Sequence, residues 1–197
     1  MRHNKTFFII PGYKHTPLNK AYREIAKILE SIGYNPVLIT IPWRKTTISE
    51  NTEYFLREYK KIPAKQKYIF GFSFGAMIAF IASTKVRTSG LILCSLSPYF
   101  KEDLPKVKSK NASRITKLRY QDFSQLRYSR LAKRIKTKQI HMLYGTEESK
   151  YLIRRVNEVF DQISSRNKYL SSIKKTDHNL SSKRYLHKIH QTAKKLN

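Results

Sequence analysis

Acidic residues are scarce in this chain. Against 40 Lys and Arg there are only 13 Asp and Glu in 197 residues, a formal net charge of +27. Cys94 is the one cysteine, which excludes an internal disulfide framework and fits a reducing compartment. No apolar run approaches the roughly 20 residues that a membrane-spanning helix needs. The basic N-terminus leads into Phe7-Phe8-Ile9-Ile10, too short for a signal-peptide core, so the cytoplasm is the expected location. The sequence contains no internal repeat and no low-complexity linker.

What is present argues for a folded protein. Hydrophobic residues make up 40% of the chain, enough to build a core rather than a disordered segment. The length suits one domain spanning residues 1–197. The positive field attracts polyanions, and counterion release lets nucleic acid bind with no specific site. Two readings of the charge stand side by side. It is a general surface property of a Lys-, Ile-, Asn- and Tyr-rich composition, or it is a dedicated face for nucleic acid or an acidic membrane surface. The compositional bias leaves the shortage of Asp and Glu unexplained.

Short β-rich runs alternate with longer amphipathic stretches, as in a parallel sheet covered by helices. The strand candidates are Phe7–Ile10, Val37–Ile41, Tyr68–Phe70, Leu91–Cys94, Ile140–Tyr144 and a weaker Tyr169–Ile173. The first helix places Ala21, Ile25, Ile28, Leu29 and Ile32 on one face and stops at Gly33. A second runs from about Ser49 to Tyr59 with Tyr54, Phe55 and Tyr59 inward, and a third from Phe74 to Ala82. Another carries Leu152, Val156, Val159, Phe160 and Ile163. The last turns Tyr185, Leu186, Ile189 and Ala193 inward. The expected fold is α/β, a mostly parallel sheet of about six strands in a three-layer sandwich. Residues 101–138 break the alternation, being longer than a usual connection. Ile115, Leu118, Phe123, Leu126, Leu131 and Ile135 recur there at near-helical spacing among many basic residues. This segment is either a long solvated crossover helix or a small helical lid over the strand ends.

The chemistry-bearing motif is Gly71-Phe72-Ser73-Phe74-Gly75. A Gly-x-Ser-x-Gly match alone is weak, but glycine is thin in this chain, six in all, which lowers the chance rate. Its setting is more telling. Tyr68-Ile69-Phe70 reads as a strand entering the motif and Ala76 to Phe80 as a buried helix leaving it, the arrangement of a nucleophile elbow. Ser73 then sits on a sharp turn with its hydroxyl raised. Side chains two residues before and two after it would collide with neighbouring backbone, so Gly71 and Gly75 occupy those places.

Phe70 to Ala79, together with the strand order, resembles the α/β-hydrolase superfamily, and the likeness extends over nearly the whole chain. The short leading hairpin of many members is missing, so the likeness is to a minimal version. The resemblance implies Ser73 as nucleophile and His178 as its base, because His178-Asn179-Leu180 lies between the last strand and the last helix. It places the acid after the strand ending at Tyr144, in Gly145-Thr146-Glu147-Glu148, with Glu148 standing where Asp is usual. Glu147 is one residue away, and Asp103 or Glu102 after the fourth strand is an alternative source. Asp177 adjoins His178 and ranks low. The implied oxyanion donors are the amides of Phe74 and of Tyr13, in Pro11-Gly12-Tyr13.

The remaining histidines carry less. His187 and His190 read as surface residues, His141 starts a strand, His3 lies in the terminal tail, and His15 falls in the loop after the first strand. No metal or organic cofactor is expected. The implied activity is serine hydrolysis of a small-molecule ester, thioester or amide, carboxylesterase-like first, with thioesterase and peptidase as variants. The competing class is a non-catalytic protein of the same fold that holds nucleic acid or acidic lipid on its basic surface.

Overall fold

The computed structural model describes residues 3–106 and 115–196. Phe7 and Ile9 point to one side of the first strand and Phe8 and Ile10 to the other, and all four are fully buried. A strand apolar on both faces belongs inside a sheet covered on both sides. That strand, β1 (His3–Ile10), runs between β2 (Asn35–Leu38) and β3 (Ala64–Phe72). Beyond β3 follow β4 (Gly90–Cys94), β5 (Ile140–Gly145) and β6 (Lys168–Ile173). The sheet order is β2-β1-β3-β4-β5-β6 and every pair is parallel.

Among the described residues, seven helices cover the two faces. Phe8 and Ile10 share a core with Phe55 of α2 (Ile48–Lys61), Met77 of α3 (Phe74–Ala82) and Val156 of α6 (Lys150–Gln162). Phe7 and Ile9 share the other with Ile25 of α1 (Lys20–Ser31) and with Tyr185 and Ile189 of α7 (Lys183–Lys194). The expected α/β sandwich with a parallel six-stranded sheet is the observed one. Helix ends follow local chemistry. Thr47 caps α2, its hydroxyl accepting from the Glu50 amide at 3.1 Å while Glu50 Oε2 accepts from the Thr47 amide at 2.8 Å. The α1 helix closes where expected, the Gly33 and Tyr34 amides bonding back to the Glu30 and Leu29 carbonyls at 3.0 Å. No described helix is long and apolar enough to cross a membrane.

Several boundaries depart from the sequence reading. β2 is Asn35–Leu38 rather than Val37–Ile41. It is an edge strand, where Pro36 is tolerated, and past Leu38 only the Ile39 amide still reaches β1, at the Ile9 carbonyl. The chain then turns inward and buries Ile41 and Trp43. β1 and β3 begin several residues early, with Lys5 opposite Gln66, because backbone pairing continues where the side chains are polar.

The connection after β4 contains two separate helices among its described residues, α4 (Lys117–Gln125) and α5 (Tyr128–Ala132). One continuous helix fails at Leu126 and Arg127, whose backbones are extended. Phe123 and Leu126 are buried, but Leu118 is exposed, contrary to the spacing argument. The α4 helix is fixed to its surroundings: Asp122 accepts from the Ile48 and Ser49 amides, and Arg119 donates to the Trp43 and Thr46 carbonyls.

Candidate active site

Ser73 joins β3 to α3 with φ 57° and ψ −118°. Such a backbone costs an L-residue on the order of 1–3 kcal/mol and persists only where the surroundings enforce it. Here the Ser73 amide donates to the Cys94 carbonyl at 2.9 Å, and its own carbonyl accepts from Ala76 and Met77. The flanking glycines are steric necessities. A Cβ on Gly71 would lie 2.6 Å from the Gly75 carbonyl carbon and 2.7 Å from the Ala76 Cα. One on Gly75 would run into the Ile10 and Pro11 carbonyl oxygens.

The turn raises the serine hydroxyl toward two loops at the carboxyl ends of the strands. Ser73 Oγ lies 3.0 Å from His178 Nε2, and His178 Nδ1 lies 2.8 Å from Glu148 Oε2. His178 follows β6 and rests its ring against Phe72, centroids 4.7 Å apart. Glu148 is buried, and its second oxygen accepts from the Gly145 amide (2.9 Å), Ser95 Oγ (2.7 Å) and the Tyr185 hydroxyl (2.6 Å). Burial opposes its charge, but the bonds from His178, Tyr185, Gly145 and Ser95 together hold its carboxyl below the ordinary carboxylate range. The neighbouring α6 helix is capped by Ser149, whose hydroxyl accepts from Leu152. Glu148 therefore lies ahead of the helix, and its oxygens are taken by the four donors above.

No protein-family model matches the sequence, and comparison with curated protein sequences gives no match. Solved structures do match. Est1E from Butyrivibrio proteoclasticus superposes with a TM-score of 0.82 at 15% identity, over 99% of this chain and 87% of that one. Alpha/beta hydrolase domain-containing protein 10 from mouse gives 0.83 at 14% identity, over 97% and 88%. The monoacylglycerol lipase of Paleococcus ferrophilus gives 0.76 at 12% identity, over 99% and 96%. The chain has the α/β-hydrolase fold.

Within this α/β-hydrolase fold the other sequence candidates separate. Asp103 is buried and engaged by Arg155 through contacts of 2.6, 3.0 and 3.0 Å, and it also accepts from the Phe100 amide. Glu102 accepts from Ser129, Glu147 is exposed, and Asp177 is exposed beside His178. His187 is exposed, while His141 is buried against Tyr169. The structure thus brings Ser73, His178 and Glu148 together and leaves these alternatives apart. The Tyr13 and Phe74 amides donate to no protein group among the described residues. The Tyr13 loop is held by Tyr22, whose hydroxyl accepts from the Gly12 amide at 2.8 Å and pairs with His15 Nδ1 at 2.9 Å. Burial, followed by the charge of His178, lowers the pKa of His15.

A cavity of about 450 Å³ opens beside Ser73, lined in large part by Tyr13, Phe74, Tyr99, Tyr151 and Leu152. Among the described residues, no cluster of three His, Cys, Asp or Glu could hold a metal ion. Sequence reasoning overlooked Ser95, Ser97 and the polar end of Tyr185. Ser97 Oγ lies 3.0 Å from Ser73 Oγ. Both serines follow β4, the strand beside the elbow, and a position at a strand's carboxyl end is the one signal that could have marked them.

Proposed function

We propose that the protein is a serine hydrolase that cleaves a carboxylic ester through an acyl-enzyme on Ser73. One observation carries this reading: an unbroken hydrogen-bonded line from Ser73 Oγ through both ring nitrogens of His178 to a buried carboxylate, with the serine on a positive-φ elbow. A serine hydroxyl is a poor nucleophile until a base removes its proton. His178 Nε2 takes that proton as Oγ attacks the carbonyl carbon, and Glu148 holds the Nδ1 proton and stabilises the imidazolium. The Tyr13 and Phe74 amides hold the oxyanion. His178 then returns the proton to the leaving alcohol, and water, activated by the same ring, releases the acid.

The largely apolar lining of the cavity suits an acyl group of modest size, and one structural neighbour is by name a monoacylglycerol lipase. Thioesters and amides are open to the same chemistry. The reading is tested with a fluorophosphonate probe and intact-mass analysis. The native protein gains one adduct, Ser73→Ala gains none, and Ser73→Ala also loses turnover of p-nitrophenyl butyrate. A folded wild-type protein that neither labels nor turns over the ester overturns the proposal.

A further inference from the structure

We infer that the substrate carries a negative charge away from the scissile carbonyl, and that Arg154 is the residue that recognises it. This rests on the serine-hydrolase reading and names the substrate class for that site.

Three side chains on the cavity wall carry ionic charge in their ordinary states: Asp103, Glu148 and Arg154. Two are already matched. Asp103 is enclosed by Arg155, and Glu148 by His178 and three further donors. Arg154 differs. Among the described residues its nearest carboxylate is Glu158, which makes a loose ion pair along the same helix, 3.6 Å from Nε and beyond hydrogen-bonding distance. Glu158 is drawn the other way, to Arg155 at 2.8 Å and the Tyr128 hydroxyl at 3.3 Å. The Arg154 Nε is buried and has no hydrogen-bond partner, whereas 36% of the side chain is exposed, so a ligand would meet the outer guanidinium nitrogens.

The surroundings suit a ligand carboxylate or phosphate. Tyr151, one helical turn before Arg154, holds its ring 5.6 Å from the guanidinium and lines the same cavity. A guanidinium resting on an aromatic face keeps its N–H fork available to an oxyanion. The overall charge of +27 raises the local concentration of anionic substrates before any contact is made.

The test compares matched esters. Mono-4-nitrophenyl glutarate carries a carboxylate in the acyl part, 4-butyryloxybenzoate carries one in the alcohol part, and p-nitrophenyl butyrate carries none. The wild-type protein is expected to favour at least one charged ester. Arg154→Met should lower the charged-to-neutral ratio of kcat/KM by about tenfold or more, through KM, as loss of a charge-assisted hydrogen bond implies. Arg154→Lys should retain part of the preference, and added salt should erode it in the wild type. If all three esters are hydrolysed with ratios indifferent to Arg154→Met and Arg154→Lys, the inference is wrong and the hydrolase reading stands. If none is hydrolysed and no fluorophosphonate adduct forms, the hydrolase reading itself has failed.

Discussion

Tyr185 donates its hydroxyl to Glu148 at 2.6 Å, tying the middle of α7 to the carboxylate that holds His178. Ser95 reaches the same oxygen at 2.7 Å and lies 2.5 Å from the Tyr185 hydroxyl, so the two share one acceptor. Tyr185→Phe removes one donor and leaves the ring packing. The expected outcome is a loss of about 1–2 kcal/mol in urea unfolding and a several-fold fall in kcat. Because both residues act on Glu148, combining Tyr185→Phe with Ser95→Ala should cost more than the sum of the single changes.

Glu148→Gln keeps the shape of the side chain and removes its charge. Hydrolysis should fall by roughly 10²–10⁴-fold, since the ring loses the partner that fixes its tautomer and balances its charge. The carboxyl is held below its ordinary pKa in the folded protein, so the ionised form is the one that folding favours. Its contribution to stability is complete above the unfolded pKa, near 4.5, and is lost as pH falls through the lower folded value. Urea titrations of wild type and Glu148→Gln from pH 7 down to pH 3 should therefore converge only on the acid side.

The elbow glycines make a steric prediction. Gly75→Ala places a methyl against the Ile10 and Pro11 carbonyls, and Gly71→Ala places one against the Gly75 carbonyl. Neither obstacle is the end of a flexible side chain, so β1, β3 or α3 must shift. Each variant should lose several kcal/mol in chemical denaturation, or fail to accumulate as soluble protein. A Gly33→Ala control meets no atom within 4 Å and bears only the strain of φ 87°, so it should lose less.

The elbow was legible because Gly71, Ser73 and Gly75 express one local conflict within five residues. The apolar halves of the strands were legible for the same reason: Phe7 to Ile10 are buried on both faces, and the residues say so directly. The polar halves were not. Lys5 and Gln66 are register partners in the β1–β3 ladder, and side-chain pattern carries no trace of that. The donors around Glu148 were hidden differently. Ser95 lies 53 residues from Glu148 and Tyr185 lies 37, so only the strand order brings them together. Tyr185 was read correctly as inward, but a tyrosine in a helical stripe does not announce what its hydroxyl touches. The resemblance to α/β-hydrolases supplied His178 and Glu148; spacing alone left Glu147 and Asp103 standing beside them.

Asp103 has a different task, and a pair of variants can show it. Its carboxylate and the Arg155 guanidinium are almost completely buried, and Arg155 also lies 3.7 Å over the Tyr128 ring. Arg155→Met leaves a buried carboxylate without its partner, which should cost about 3–5 kcal/mol in chemical denaturation. Asp103→Asn combined with Arg155→Met removes both charges and should recover part of that loss. Fluorophosphonate labelling of Ser73 should survive in the folded double variant, as expected if Glu148 rather than Asp103 serves His178.

His141 tests the far side of the sheet from pH alone. It is buried, stacked on Tyr169 at 4.8 Å, with Nε2 2.9 Å from the Gln139 amide nitrogen. Burial first, then the charges of Lys195 and Lys188, push its pKa down from 6.5 to about 4. The unfolded chain therefore binds a proton that the folded protein refuses between these values. Stability attributable to this site is complete above about pH 6.5 and erodes as pH falls toward 4, by about 3 kcal/mol at the full shift. His141→Gln removes the titrating group. Its unfolding free energy should lie below that of wild type at pH 7.5, and the gap should narrow steadily down to pH 4.5. A gap that stays constant over that range would show that His141 is not held neutral by its surroundings.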